Sequence, residues 1–289
     1  MNIPYTKMHG LGNSYIYIDG YQTNLSESEL PKLAQAVSNV NTGIGSDGLI
    51  LMLPSQVADV RMRIFNKDGS EAMNCGNGLR CVAKLAYDLG YVTKKQFKIE
   101  AKSGVVEAEV ELVGDAVNQV TVDMGKPELN RSKIPMLTLS GDGDEKVINE
   151  PFLVGEENLH VTAVSMGNPH IIFYVDDIGE APIHSVGPKV TNDPRFPEGV
   201  NVEFVEVLNQ KEINFRVWER GSGITQACGT GACAAVVSSV LNNFVERNQE
   251  VIVHLDGGDL IISWVHSGHV MMKGPAVTIT KGEFYWQGV

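Results

Sequence analysis

The sequence predicts an α+β protein made of two copies of one unit. Two pseudo-symmetric halves are expected, each a curled, mostly antiparallel, barrel-like sheet around a central helix, with a functional cleft between them. Three observations carry this expectation. Cys75-Gly76-Asn77-Gly78 and Cys228-Gly229-Thr230-Gly231 each open a helical run, and the two cysteines lie 153 residues apart. Upstream, the strand-like runs ending at Asn66 and Glu219 are also separated by 153 residues. Gly12-Asn13 introduces Tyr15-Ile16-Tyr17-Ile18-Asp19 as Gly167-Asn168 introduces Ile171 to Asp176, at an offset of 155. A near-constant offset across unrelated phrases marks an internal duplication. Met124-Gly125-Lys126-Pro127 and Met272-Lys273-Gly274-Pro275 close the copies, so the expected halves are 1–123, completed by 276–289, and 124–275.

Each element has its own justification. Val105 to Val113 and Val120 to Asp123 alternate apolar and polar residues, the period of half-buried strands, and 251–255 and 259–265 take the equivalent places in the second half. The helix after Cys75 sets Leu79, Val82, Ala83, Leu85, Ala86 and Leu89 on one side and Arg80, Lys84 and Asp88 on the other. Gly90 stops it. The helix after Cys228 is apolar nearly all round, which predicts deeper enclosure. Residues 128–158 have no evident counterpart and read as a connecting excursion, rich in Gly, Asp and Glu at Ser140-Gly141-Asp142-Gly143-Asp144-Glu145. The tail contains a strand, Val277-Thr278-Ile279-Thr280, able to return to the first half.

Composition narrows the function. Lys plus Arg is 23 against 35 for Asp plus Glu, a net charge of -12 with no basic block, which argues against nucleic acid as a partner. No apolar run approaches a membrane span and the N-terminus has no signal-like pattern, so a cytoplasmic protein with no membrane partner is expected. Four cysteines in 289 residues make a poor disulfide framework and read as thiols.

Cys75 and Cys228 stand where a helix begins, beside unpaired N–H groups, a position expected to favour thiolate. Small buried cysteines are the commoner case, and Cys81 and Cys233 inside the helices are read that way. Paired placement before Gly-x-Gly favours a shared site for Cys75 and Cys228. Zinc-type spacing is absent, so no metal is expected. Asn13, Asn66, Asn168 and Asn201 would singly be turn asparagines, but as a repeat-related set they favour ligand contacts. His170 and Glu219 read equally as an ordinary polar pair or as part of the site.

Lys7-Met8-His9-Gly10-Leu11-Gly12-Asn13, Gly43-Ile44-Gly45-Ser46-Asp47-Gly48, Phe65 to Glu71, Ser165-Met166-Gly167-Asn168-Pro169-His170, Glu219-Arg220-Gly221 and both cysteine phrases together resemble the diaminopimelate epimerases, over nearly the whole chain. The resemblance implies a cofactor-independent enzyme that interconverts LL- and meso-2,6-diaminoheptanedioate in bacterial lysine and peptidoglycan precursor synthesis, working as a homodimer. It makes Cys75 and Cys228 the proton donor and acceptor, roles that exchange on reversal. It gives Gly76, Asn77, Gly229 and Thr230 the substrate carboxylate at two helix starts, and Asn13, Asn66, Asn168, Asn201, Glu219 and Arg220 further substrate contacts. His170 and Glu219 are implied to tune the thiols. Two departures stand out: some relatives carry Gln where this chain has Gly48, and Glu where it has Ile224. A proline-racemase-like two-cysteine enzyme, or a non-enzymatic redox or metal-binding thiol protein, are the readings left open. Two thiols serving one carbon also predict that mild oxidation without substrate joins Cys75 to Cys228, testable by peptide mapping of the inactive protein.

Overall fold

The computed structural model describes residues 1–72, 76–138 and 143–288; Cys75 and Ser140-Gly141-Asp142 fall outside the described residues. The chain divides into two compact units, Met1–Asp123 with Lys273–Val289, and Met124–Met272. In chain order the elements begin with β1 (Asn2–Gly10), β2 (Asn13–Asp19), α1 (Leu30–Ser38), β3 (Gly48–Leu53), β4 (Val60–Asn66) and α2 (Gly76–Asp88). They continue with β5 (Gln96–Ala101), β6 (Gly104–Val113), β7 (Ala116–Asp123), β8 (Glu150–Val154), β9 (Glu157–Ser165), β10 (Pro169–Tyr174) and α3 (Ile183–Val190). Last come β11 (Asn201–Asn209), β12 (Glu212–Glu219), β13 (Gly223–Ile224), α4 (Gly229–Leu241), β14 (Val251–Leu255), β15 (Gly258–Trp264), β16 (Val270–Gly274) and β17 (Val277–Tyr285).

The duplication is explicit in the strand pairing. In the first unit β1–β2 is antiparallel, β2–β3 parallel, β3–β4 antiparallel, β4–β5 parallel and β5–β6 antiparallel. The second unit repeats that order through β9–β10, β10–β11, β11–β12, β12–β14 and β14–β15. Register repeats too: Ile16 faces Leu49 and Leu49 faces Phe65, as Ile171 faces Val202 and Val202 faces Trp218. β17 pairs antiparallel with β1, and β8 pairs antiparallel with β9. Within the stretch 128–158, β8 therefore does have a counterpart, because it flanks the second unit as β17 flanks the first.

A parallel strand pair needs a crossover, and this accounts for helices beyond the expected one per half. α1 joins β2 to β3 and α3 joins β10 to β11. Leu30, Leu33, Ala34 and Val37 of α1 are buried at the i, i+3, i+4, i+7 spacing of a packed helix face. They pack with Ile16, Ile18, Leu49 and Leu51. In the second unit Ile183, Val186 and Val190 of α3 pack with Ile171, Phe173, Val202 and Phe204. Strand side chains alternate faces, so the residues between these, His170, Ile172 and Tyr174 on β10 and Glu203 and Val205 on β11, lie on the other face. Tyr174 confirms that this face carries α4, through hydrogen bonds with Ser238 (2.7 Å) and Ser239 (3.3 Å).

α2 ends as its sequence dictates, with two corrections to where its side chains lie. Gly90 has φ +74, and Gly90 N donates to Tyr87 O, a left-handed stop after α2. Leu89, expected on the packed side, is exposed beyond the helix end. Arg80 is expected in water with Lys84 and Asp88, but only those two form the exposed-side ion pair, at 2.9 Å. Arg80 is fully buried, donating from Nη2 to Asn77 Oδ1 (2.9 Å) and from Nε to Pro275 O (3.2 Å). Helical spacing assigns a side; here the first turns of α2 are enclosed on every side, from Gly76 to Ala83. Among the described residues no helix is long and apolar enough to cross a membrane.

Candidate functional site

In the second unit Asn168, His170, Cys228 and Thr230 converge on the start of α4. Cys228 is its N-cap, extended at φ -121 and ψ 106, with a buried free thiol. Its Sγ lies 3.5 Å from Thr230 Oγ1. Asn168 Nδ2 donates to Thr230 Oγ1 at 3.3 Å, and Asn168 Oδ1 faces His170 Nε2 at 3.0 Å. The other ring nitrogen, His170 Nδ1, meets Glu203 Oε1 at 2.6 Å, with both side chains fully buried. A continuous polar chain therefore runs from Glu203 through His170, Asn168 and Thr230 to the thiol.

Burial pushes the Cys228 thiol well above its ordinary range, and the Glu219 and Glu203 carboxylates push the same way. The Thr230 hydroxyl and the Gly231 N–H oppose them without prevailing. The expectation that a helix start makes this thiol acidic is thus reversed. A helix terminus contributes about 0.3–1 kcal/mol, whereas full burial moves a titrating group by up to about 3–5 pH units. These surroundings favour the thiol form of Cys228 over its thiolate.

His170 does not pair with Glu219, since both of its nitrogens are taken by Glu203 and Asn168. Glu219 instead accepts a hydrogen bond from Thr225 Oγ1. Asn201 spends its amide on backbone, donating to Pro169 O (2.9 Å) and accepting from Arg220 N (3.0 Å), so it fixes the turns that carry His170 and Arg220. Arg220 is exposed and donates from Nη1 to Glu198 O at 2.5 Å. Ile224, where some relatives have Glu, packs against the apolar core of the second unit.

The first unit holds a related cluster at the start of α2. Asn13 donates from Nδ2 to Asp47 Oδ2 (3.0 Å), and Asn77 donates from Nδ2 to Asn13 Oδ1 (3.4 Å). Arg80 completes the set through Asn77 Oδ1. Asn66 is held apart from these contacts by Ser70 Oγ, 3.0 Å from its Nδ2. Gly76 and Asn77 are buried in the first turn of α2. A Cβ added to Gly48 would meet Phe65 O at 2.1 Å, so the backbone here has no room for the longer side chain of some relatives. Among the described residues no group of three or more His, Cys, Asp or Glu side chains is arranged to hold a metal ion.

Asp47, Arg80 and Glu203 are the site residues that sequence reasoning does not single out. Asp47 sits inside a quoted motif without an assigned role. Glu203 carries one signal, a charge within the apolar run Val202-Glu203-Phe204-Val205.

The model of the diaminopimelate epimerase family matches residues 5–130 and 162–279. A diaminopimelate epimerase of Geobacillus kaustophilus (strain HTA426) is 62% identical over 284 residues, covering 98% of this chain and 97% of its own length. That of Bacillus subtilis (strain 168) is 59% identical over 281 residues, 97% of this chain and 98% of its own. Among solved structures, a probable proline racemase from Agrobacterium radiobacter K84 aligns with a TM-score of 0.70 at 14% identity, over 98% of this chain and 93% of that one. A PhzF-family phenazine biosynthesis protein of Bacillus anthracis aligns with a TM-score of 0.67 at 17% identity, over 99% and 100%. Likeness at such identity establishes the fold.

Proposed function

Because this chain belongs to the diaminopimelate epimerase family and is an amino-acid epimerase interconverting LL- and meso-2,6-diaminoheptanedioate, we propose that Cys75 and Cys228 are the two groups that exchange its Cα proton. Inversion needs a base on one face of the carbon and an acid on the other. One cysteine as thiolate takes the proton from Cα while the other, as thiol, supplies one to the opposite face. Each turnover leaves the two thiols with their states exchanged, ready for the reverse reaction. The observation that carries this reading is the buried thiol group of Cys228 at the start of α4, joined to Asn168 and His170 through Thr230.

The charge that develops on the substrate carboxylate needs donors already in position. The first N–H groups of a helix have no intrahelical acceptor, so those of Gly229 and Thr230, and of Gly76 and Asn77, suit a carboxylate. Asn13, Asn66, Asn168, Asn201, Glu219 and Arg220 read the remaining polar groups of the substrate, with Arg220 matched to a carboxylate by its planar fork. The backbone contacts already made by Asn201 favour an indirect part for it, behind Arg220. The same reading makes the enzyme a cytoplasmic homodimer, as its family resemblance implies.

The test is deuterium incorporation at Cα and epimerisation of LL-diaminopimelate by Cys75→Ala and Cys228→Ala, with proline as the comparison substrate. Both variants are expected to fold and to lose epimerisation. Near-normal turnover in either, or faster exchange on proline, would overturn the assignment.

A further inference from the structure

The reaction as derived uses Cys228, and leaves unexplained why a carboxylate is buried behind it. Glu203 is fully buried in β11, and its Oε2 has no hydrogen-bond partner among the described residues. Desolvation raises its pKa above the ordinary carboxylate range, with His170 only partly compensating. Burying such a group costs several kcal/mol per ion. The strand does not require it. The register that sets Glu203 opposite Val217 sets Ile50 opposite Ile64 in the first unit, where the same strand forms around an isoleucine.

Two routes lead from Glu203 to the thiol. One is the hydrogen-bonded chain through His170, Asn168 and Thr230. The other is direct: a methyl group set on Gly231 would lie 3.0 Å from Glu203 Oε1 and 3.2 Å from Cys228 Sγ. Carboxylate and thiol therefore border the same small space, which glycine keeps open. Among the described residues, the charged or titratable groups facing Cys228 are Glu203 on β11 and Glu219 on β12, with His170 on β10 behind Asn168. Tyr174, also on β10, is turned to Ser238 and Ser239 farther along α4, and its pKa is pushed up to about 12.

We propose that Glu203 is a positioning residue of the epimerase, holding His170 by Nδ1 and acting through that chain and across Gly231 to keep Cys228 in its thiol form. This rests on the assignment of Cys228 above. Glu203 thereby makes Cys228 a tight proton holder, a group that starts as acid and, once deprotonated, is an avid base.

The decisive measurement is the pH dependence of iodoacetamide labelling at each cysteine of the full-length protein, read by peptide mass spectrometry. It reports on the thiol whether or not the protein epimerises anything, so its failure and that of the functional assignment are separable. In Glu203→Gln the labelling midpoint of Cys228 is expected to fall by about one pH unit, with that of Cys75 unmoved. Glu203→Asp, which keeps the charge, is expected to stay near wild type. The falling limb of the kcat/KM profile should move to lower pH in Glu203→Gln alone. An unchanged or raised Cys228 midpoint, or equal shifts in the Gln and Asp variants, would overturn the proposal. Should Glu203→Gln fail to fold, histidine nitrogen NMR of the wild-type protein decides the matter. The His170 ring-nitrogen resonances must respond as Cys228 titrates. Silent resonances refute the proposal.

Discussion

The starts of α2 and α4 are built by the same backbone and furnished with opposite charge. In both, an asparagine before or at the beginning of a strand bonds the second residue of the helix: Asn13 with Asn77, and Asn168 with Thr230. Behind that shared contact the units diverge. α2 has the buried guanidinium of Arg80, where α4 has Cys233 at the position 153 residues on. β10 and β11 bring His170 and Glu203 to α4, where the corresponding residues of β2 and β3 are Tyr15 and Ile50. Duplication supplied two equivalent helix starts, and a few buried side chains made them unequal.

The largest effect that would break the comparison is expected from Arg80→Met. It leaves Asn77 Oδ1 and Pro275 O without their donor, for a loss of about 2–4 kcal/mol in denaturant unfolding. The apolar Cys233 position has no equivalent demand, so Cys233→Ala should cost about 1 kcal/mol. Equal losses would show that Arg80 is no more than filler.

Asn201→Ala removes two hydrogen bonds to backbone, and about 2 kcal/mol of stability should go with them. Gly48→Ala, the matching site in the first unit, should cost more, because its Cβ meets a carbonyl. Chemical denaturation of both ranks them.

Gly231→Ala sharpens the comparison further. The added methyl meets Glu203, Phe215 and Cys228 at 3.0–3.2 Å, an overpacking cost of about 1–3 kcal/mol set against about 1 kcal/mol gained in helix propensity. A net loss of about 1 kcal/mol is expected with a much larger fall in kcat. Wild-type turnover would mean that the space over Gly231 is not part of the site.

The smallest effect concerns pH. Because the folded pKa of Glu203 is raised, the folded state keeps a proton that the unfolded chain releases. The stability this supplies is complete below the ordinary carboxylate pKa and is lost as pH rises through the raised value. Gln cannot lose that proton, so the melting temperature of Glu203→Gln relative to wild type should climb with pH across that window. A flat difference would place the pKa of Glu203 at its ordinary value.

Much of this molecule is legible in its sequence. The repeated phrases announce the duplication, and alternation over Val105 to Val113 matches β6. The crossover helices are harder to anticipate: Leu30, Leu33, Ala34 and Val37 carry the period of α1, but over a helix of only 9 residues. The need for them follows from parallel pairing, and pairing direction is not written in any one strand. Arg80 misleads because i, i+4 spacing reports a side of the helix and is silent on what covers it. Glu203 belongs to no motif, and its meaning depends on which residue the neighbouring parallel strand sets beside it.

The pairing of β17 with β1 bears on how the protein is made. The second unit draws all its strands from one continuous stretch, so it can close as soon as that stretch has left the ribosome. The first unit cannot, because β1 waits for a partner that is synthesised after the whole of the second unit. Until then β1 offers an unpaired edge to other nascent chains. The half made first is the half completed last, and its exposed edge is where a chaperone would be needed.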